Sequence, residues 1–260
     1  MLKQQSKKLA LYSSGFVLYE YLLTWVYPEI AENPALTQIV DSIPHTVKTV
    51  FGVSQDAEVD TFEAFISGQF FSRIWVMLMA LYNIEAANEL IAKQVEEGSL
   101  AFILSTPVPR EEIFTTQAFV LLTSNALLVT ATLGGLYHGA NMFDISMDWH
   151  NYLVFALLGM SFFSFIGAYS LLASAYFCSE EKTITYAAGA TLLFYALDVL
   201  GALNKNLSWL REFSIFKWFK AQEIMEGTHN PAGAILKLSL GAASLLHLGN
   251  RIFKNKDLVL

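Results

Sequence analysis

The segment ELIAKQVEEGSLAFILSTPVPREEIFTTQ, residues 89–117, decides how the rest of the chain is read. It crowds together Glu89, Lys93, Glu96, Glu97, Arg110, Glu111 and Glu112, breaks at Gly98-Ser99, and carries Pro107 and Pro109. Apolar runs flank it on both sides. A bilayer core needs about 20 apolar residues per helix, and both flanking runs reach that length. A charged stretch with prolines between two such runs predicts a helical hairpin in water, joining two transmembrane helices.

Composition agrees. The 260 residues are 54% hydrophobic and 14% aromatic, and only 15% are charged, against roughly 25% in an ordinary soluble domain. Mean hydropathy is +0.43. The charges sit in short breaks instead of being spread along helix faces. The expected fold is therefore an all-α integral membrane protein with six transmembrane helices in a single domain, 1–260. The net charge of -7, with no basic stripe, argues against a nucleic-acid partner. A single cysteine, Cys178, excludes an intrachain disulfide. Lys3, Lys7 and Lys8 precede an apolar run, but that run holds Glu20 and no small-residue cleavage site follows. It reads as the first span and not as a cleaved leader.

In chain order the spans fall at about 9–27, 64–87, 119–137, 152–176, 184–203 and 232–249. Pro28 closes the first. Residues 28–62 are acidic, and their apolar patches LTQIV and VKTVFGV predict short helices on the membrane surface. The third span is entered as a continuous helix from Arg110. HGANMFDISMDWH and CSEEKT form the next two breaks. Between the fifth and sixth spans, Trp209, Phe213, Phe216 and Phe219 with Lys217 and Lys220 predict an interfacial helix. Lysine and arginine set the orientation. With the N-terminus inside, Lys3, Lys7, Lys8, Lys93, Arg110, Lys182, Arg251, Lys254 and Lys256 lie inside. Lys48, Lys205, Arg211, Lys217 and Lys220 lie outside, and Arg73 and Lys237 fall within spans. Both termini and the 89–117 hairpin are then cytoplasmic, in a multi-pass protein of the cell membrane.

The hairpin, IAKQVEEGSLAFILSTPVPREEIF, resembles the cytoplasmic signature of ABC-2 type permeases, the membrane subunits of ATP-binding cassette exporters. The family pattern is an acidic stretch, a Gly-Thr-Leu-like turn, a Leu-Leu-Ser-like run and Pro-Val-x-Arg. Glu96, Gly98, Ser99, Leu100, Leu104, Ser105, Pro107, Val108 and Arg110 match it. GAYSLLASAYF in the fourth span is similar to the family's Ser-Ala-rich helix end, and FKNKDL to its Phe-x-x-Arg-Asp-Leu ending. Gln94 stands where the family often has Glu, and Gln117 replaces a common Lys. The resemblance implies a dimer with a second permease copy or a paralogue, seated on two ABC ATPase subunits. ATP and Mg would be bound there, with no cofactor in this chain. It also implies that the helix Glu89–Glu97 is a coupling helix. On that reading Glu89, Lys93, Glu96, Glu97, Gly98 and Arg110 transmit ATP-driven closure, and the cargo is amphipathic or lipophilic: a peptide, antibiotic or lipid-like compound. Exporters of cytolytic peptides and of peptide antibiotics are the nearest models for that cargo. The plainer reading of the same charges is a solvated loop kept out of lipid.

Ionisable residues within spans are costly and face protein or water. Glu20, Arg73, Glu85, Asp198 and Lys237 qualify. Depth along the helix at about 1.5 Å per residue pairs Glu20 with Arg73, and Asp198 with Lys237; Glu85 lies near the inner end. Such pairs hold helices together or line a path. Small residues in the fourth span (Gly159, Ser164, Gly167, Ala168, Ser170, Ala173, Ser174) and sixth span (Gly241, Ala242, Ser244) permit close helix approach. Phe162, Phe163 and Phe165 face either substrate or lipid.

No phosphate-binding GxxxxGK[ST] loop occurs, and no HExxH or Cys-x-x-Cys. The five histidines, His45, His138, His150, His229 and His247, are scattered, so neither a metal site nor a catalytic residue is expected. Two other functions compete with transport. One is an intramembrane enzyme using Glu20, Asp198 or the histidines; the other is a scaffold of a membrane complex.

Overall fold

The computed structural model describes residues 2–31, 61–105 and 107–256. The surface helices expected in the acidic stretch after Pro28, and the last two residues of FKNKDL, lie outside the described residues. Every regular element among the described residues is helical. Six are long: α1 (Leu2–Ala31), α2 (Phe62–Glu96), α4 (Arg110–Met142), α5 (Trp149–Phe177), α6 (Glu180–Leu203) and α8 (Ala232–Asn255). Two short helices, α3 (Ser99–Leu104) and α7 (Ala221–Met225), lie between them, as do turns of 3-10 helix over Lys205–Phe213 and Phe216–Trp218.

Five of the long helices, α2, α4, α5, α6 and α8, are long and apolar enough to cross a membrane. The first helix, α1, has 30 residues, but Ser13, Ser14, four tyrosines and Glu20 dilute its apolar run. The helices exceed the expected spans at most ends. α4 begins at Arg110, with extended Pro109 before it, because proline at a helix start costs no hydrogen bond. It then runs through His138–Met142, which were expected as loop. Only Cys178 and Ser179 separate α5 from α6, and left-handed Cys178 (φ 51°) makes the turn.

The central helix is α5. α2, α4, α6 and α8 all lean on it, while α1 packs along α4. In α2 and α5, 61% of the most apolar stretch is buried, against 11% in α6 and 17% in α8. The outward faces carry Leu11, Leu18, Trp25, Met77, Phe119, Leu153, Leu192 and Leu240 exposed to the surroundings. An apolar surface of that extent is a liability in water and a solvent-matched face in lipid. With its apolar helices, this is a multi-pass membrane protein.

Close packing uses the small residues read from the sequence. Gly167 faces the Asn83 side chain and Leu121; an added Cβ there would sit 2.6 Å from Asn83 Oδ1. Ser170 and Ser174 are buried. Phe162 and Phe163 face neither lipid nor an open path, being fully buried, while Phe165 covers Gly241 on α8.

Candidate coupling end and intramembrane polar groups

The bundle has two unlike ends. At one, the start of α1, the α2–α4 hairpin, the α5–α6 turn and the end of α8 meet. Lys8 lies 3.0 Å from Glu85 and 2.9 Å from Glu89, tying α1 to α2. Partial burial works against the Lys8 charge, but hydrogen bonds to Glu89 and Glu85 outweigh it and raise its pKa above the usual lysine value. Glu96 accepts from the Glu180 backbone N–H at 2.6 Å, and Asn88 Nδ2 donates to Glu180 at 3.0 Å. Arg110 donates to the Lys256 carbonyl at 2.5 Å, and Lys254 pairs with Glu111 at 2.5 Å. The chain's first and last described turns are thus bound to the two arms of the hairpin.

The second helix reaches this end as one continuous rod with two widened, π-type segments, Ser67–Trp75 and Asn88–Ala92. Widened turns release backbone groups from the regular ladder. The Ala92 N–H goes instead to the Ser174 hydroxyl of α5 at 2.9 Å. This locks Asn88, Leu90, Ile91 and Ala92 into the bundle, so the expected coupling helix Glu89–Glu97 is only half available to a partner. Glu89 is engaged by Lys8 and Arg110 by the Lys256 carbonyl. Lys93–Val95 are half-buried and Glu96 and Glu97 are exposed, with Lys93 and Glu97 approaching at 3.9 Å. Gly98, in the left-handed region (φ 71°), then turns the chain into α3. There Leu100 is fully buried as an anchor, while Phe102 is 80% exposed and Val108 39% exposed. The exposure of Phe102 was not anticipated, because it lies within the apolar run Leu100–Leu104 and nothing local tells which of those residues faces outward.

At the opposite end a cluster of aromatic rings packs across the helices, and ion pairs are confined to the segment after α6, as at Asp198–Arg211 and Glu223–Lys220. Trp75 stacks edge-on with Phe71 at 5.2 Å and Phe163 at 4.8 Å, and meets Phe155 at 5.6 Å. The segment after α6 folds inward to complete the cluster: Phe219 reaches Phe162 at 4.9 Å and Phe155 at 5.5 Å, and Phe216 reaches Phe162 at 5.2 Å. The expected single interfacial helix is therefore corrected. It is three short helical pieces, because Phe216 and Phe219 are drawn into the bundle, leaving Trp209 and Phe213 exposed.

Neither depth-matched ion pair is made. Asp198 binds Arg211 of the inward-folded segment at 2.9 Å, and Lys237 lies over the Trp218 ring at 5.4 Å. Glu20 is fully buried and neither carboxyl oxygen has a hydrogen-bond partner among the described residues, so Arg73 is not its partner. Glu20 faces α4 instead, where a Cβ on Gly135 would fall 2.8 Å from its Oε2. Depth is only one coordinate; the direction a residue faces around its helix decides its partner. Glu85 is half exposed and pairs with Lys8.

A different polar pair joins the spans. Asn83 of α2 and Asn125 of α4 exchange two amide hydrogen bonds, 3.0 and 2.8 Å, while fully buried. About two turns away, Trp75 Nε1 donates to Thr132 at 3.2 Å. Sequence reading passed over this pair, although Asn83 and Asn125 are the two asparagines inside the expected spans.

A family model described as ABC-2 family transporter protein matches residues 16–258. The chain belongs to the ABC-2 transporter family. Membership makes it a permease, a membrane subunit of a transporter whose family associates with an ABC ATPase and the bilayer. The match begins halfway along α1, at Phe16, and ends just after α8; it takes in Glu85, Glu89, Arg110, Glu111 and Lys254, while Lys8 precedes it. No curated protein and no solved structure matches the chain.

Proposed function

We propose that this ABC-2 permease is the membrane half of an exporter, moving an amphipathic or lipophilic substrate outward while a separate subunit hydrolyses ATP. The observation that carries the proposal is the hairpin end: a rigid helix, α2, delivers an exposed acidic tip and an exposed phenylalanine beyond the bundle. Force from two closing soluble domains is transmitted only through something stiff. A partner surface with an apolar notch for Phe102 and basic neighbours for Glu97 matches this tip. Hot spots of this kind, an aromatic anchor ringed by charges, dominate protein interfaces. The contact set therefore centres on Lys93, Glu96, Glu97, Gly98 and α3, with Glu89 and Arg110 stiffening it from within.

On this reading α1 is the sixth span, since it is long enough and lies along α4 with Leu11, Leu18 and Leu22 outward. Both termini and the hairpin are cytoplasmic, by the lysine and arginine bias. The aromatic cluster then closes the outer end, and the permease works as a pair on two ATPase subunits, with ATP and Mg bound there. A cargo of amphipathic peptide, antibiotic or lipid-like chemistry suits a path walled by aromatic and small residues.

Co-purification from native membranes tests the proposal. A Walker-motif ATPase accompanies the wild type and is lost in the Lys93→Glu, Glu97→Lys double variant, and inverted vesicles accumulate cargo only with ATP. Turnover by the isolated chain without ATP overturns the proposal in favour of an intramembrane enzyme.

A further inference from the structure

Both α6 and α8 lean on α5 but scarcely on each other, leaving a groove of about 420 Å³ between them. Its floor is Tyr169 and Tyr176 of α5, and its walls are Tyr186 and Ala190 of α6 and Leu248 and Ile252 of α8. The Tyr169 and Thr191 hydroxyls bond each other, and Thr191 also donates to the Ala187 carbonyl at 2.8 Å. The rest of the lining is aliphatic or aromatic apart from the Tyr176 and Tyr186 hydroxyls, which suits hydrocarbon.

The groove is not uniform along its length. Towards mid-span it is bounded by Phe165, Phe194 and Leu245 and meets no charge. At the hairpin end it meets cations. Lys256 lies over the Tyr176 ring at 5.4 Å and donates to the Tyr176 carbonyl. Arg251 and Lys182 are exposed one helical turn from the lining residues Leu248 and Tyr186, and neither forms an ion pair among the described residues. Glu111 is paired with Lys254, and Glu180 and Glu181 at the start of α6 offset part of the rim, so Lys182, Arg251 and Lys256 leave one positive charge in excess. An apolar trough ending in net positive charge at the membrane boundary complements an amphiphile with an acyl tail and an anionic head. It repels a cationic one.

We infer that the α5–α6–α8 groove is a binding site for one anionic phospholipid, its acyl chain against Tyr169, Tyr186 and Leu248 and its phosphate between Arg251, Lys182 and Lys256. The site is lateral and separate from the hairpin tip. It rests on membrane residence alone and not on the proposed transport reaction. Each cation near an anionic headgroup strengthens association by about five-fold.

Native mass spectrometry of the full-length protein from mixed micelles tests it, with phosphatidylglycerol and phosphatidylcholine of identical acyl chains as probes. The wild type retains phosphatidylglycerol in preference to phosphatidylcholine. Lys182→Gln with Arg251→Gln, both exposed and free to fold, reduces that preference by about five-fold or more. Ala190→Trp fills the trough and loses both lipids, while gel filtration and thermal melting confirm that each variant is folded. Equal retention of the two lipids by the wild type overturns the inference, as does an unchanged preference in the double variant. So does a disulfide between two copies through Ala190→Cys in membranes, which would put a second copy in the groove.

Discussion

The two ends of the bundle are held together by different physics. At the hairpin end, Lys8, Arg110 and Lys254 tie the first and last turns to the α2–α4 arms through charged contacts. At the far end, Trp75, Phe155, Phe162, Phe163 and Phe219 interlock with no charge among them. Half-exposed ion pairs are weak, commonly worth about 0–1 kcal/mol each and sensitive to salt, and they can exchange one partner for another at little cost. Close-packed rings do not: a displaced ring leaves a void that its neighbours cannot fill. Most buried polar atoms that lack a hydrogen-bond partner among the described residues lie in the hairpin half, at Tyr82 Oη, Asn88 Oδ1, both amide atoms of Gln117, Thr183 Oγ1 and Asn250 Oδ1, the Glu20 carboxyl being the exception. One end is thus adjustable and the other fixed. That asymmetry suits a permease pushed from the hairpin side.

The contrast breaks first at Trp75. Trp75→Ala removes a ring that touches Phe71, Phe155 and Phe163 and a donor to Thr132, and is expected to cost about 3–5 kcal/mol. Thermal melting in a mild detergent reads this as a large drop in midpoint. A loss no greater than that of a hairpin-end variant would erase the distinction between the ends.

Between the ends, Asn83→Leu leaves the Asn125 amide buried and unpaired, with an expected loss of about 1–2 kcal/mol. Asn83→Leu with Asn125→Leu recovers most of it, because two apolar groups replace two satisfied amides. A double variant no better than the single would show that the asparagines act separately.

The opposite sign is expected at Gln117. Both its amide atoms are buried without a partner, so Gln117→Leu stabilises the chain by about 1 kcal/mol, measured by the same melts. Destabilisation would mean that the amide is satisfied in the membrane and that the hairpin half is not under-bonded.

The smallest effect belongs to Lys8. Lys8→Gln costs at most about 1 kcal/mol, and the difference disappears in high salt. The Lys8 pKa is raised in the folded chain, so its contribution is complete below the usual lysine value and is lost as pH climbs through the higher folded value. Wild type and Lys8→Gln therefore differ by a constant amount across neutral pH and converge only in strongly alkaline buffer.

Much of this architecture was legible because charge and proline are local signals. The hairpin, the helix start at Arg110 and the apolar runs of α2, α4, α5, α6 and α8 all follow from where charged residues and prolines fall. The direction a residue faces was not legible. Glu20 and Arg73 share a depth, yet Glu20 faces Gly135 of α4. Asp198 found Arg211, a residue outside any span, because the segment after α6 folds back over the bundle instead of lying along the interface. That folding depends on Phe216 and Phe219 fitting a cavity built by α2 and α5, which no periodicity in their own segment records. The expected coupling stretch, Glu89–Glu97, is exposed only towards its end. The widened turns over Asn88–Ala92 and the Ser174 contact bury its first half.

Photocrosslinking from two positions in native membranes tests the central claim most directly. A benzophenone amino acid replacing Phe102, on the exposed hairpin tip, is predicted to capture a Walker-motif ATPase subunit. The same group replacing Trp209, exposed at the aromatic end, is predicted to capture none. Capture from Trp209, or an ATPase that crosslinks from neither position, would contradict the assignment of the hairpin as the end on which the motor acts.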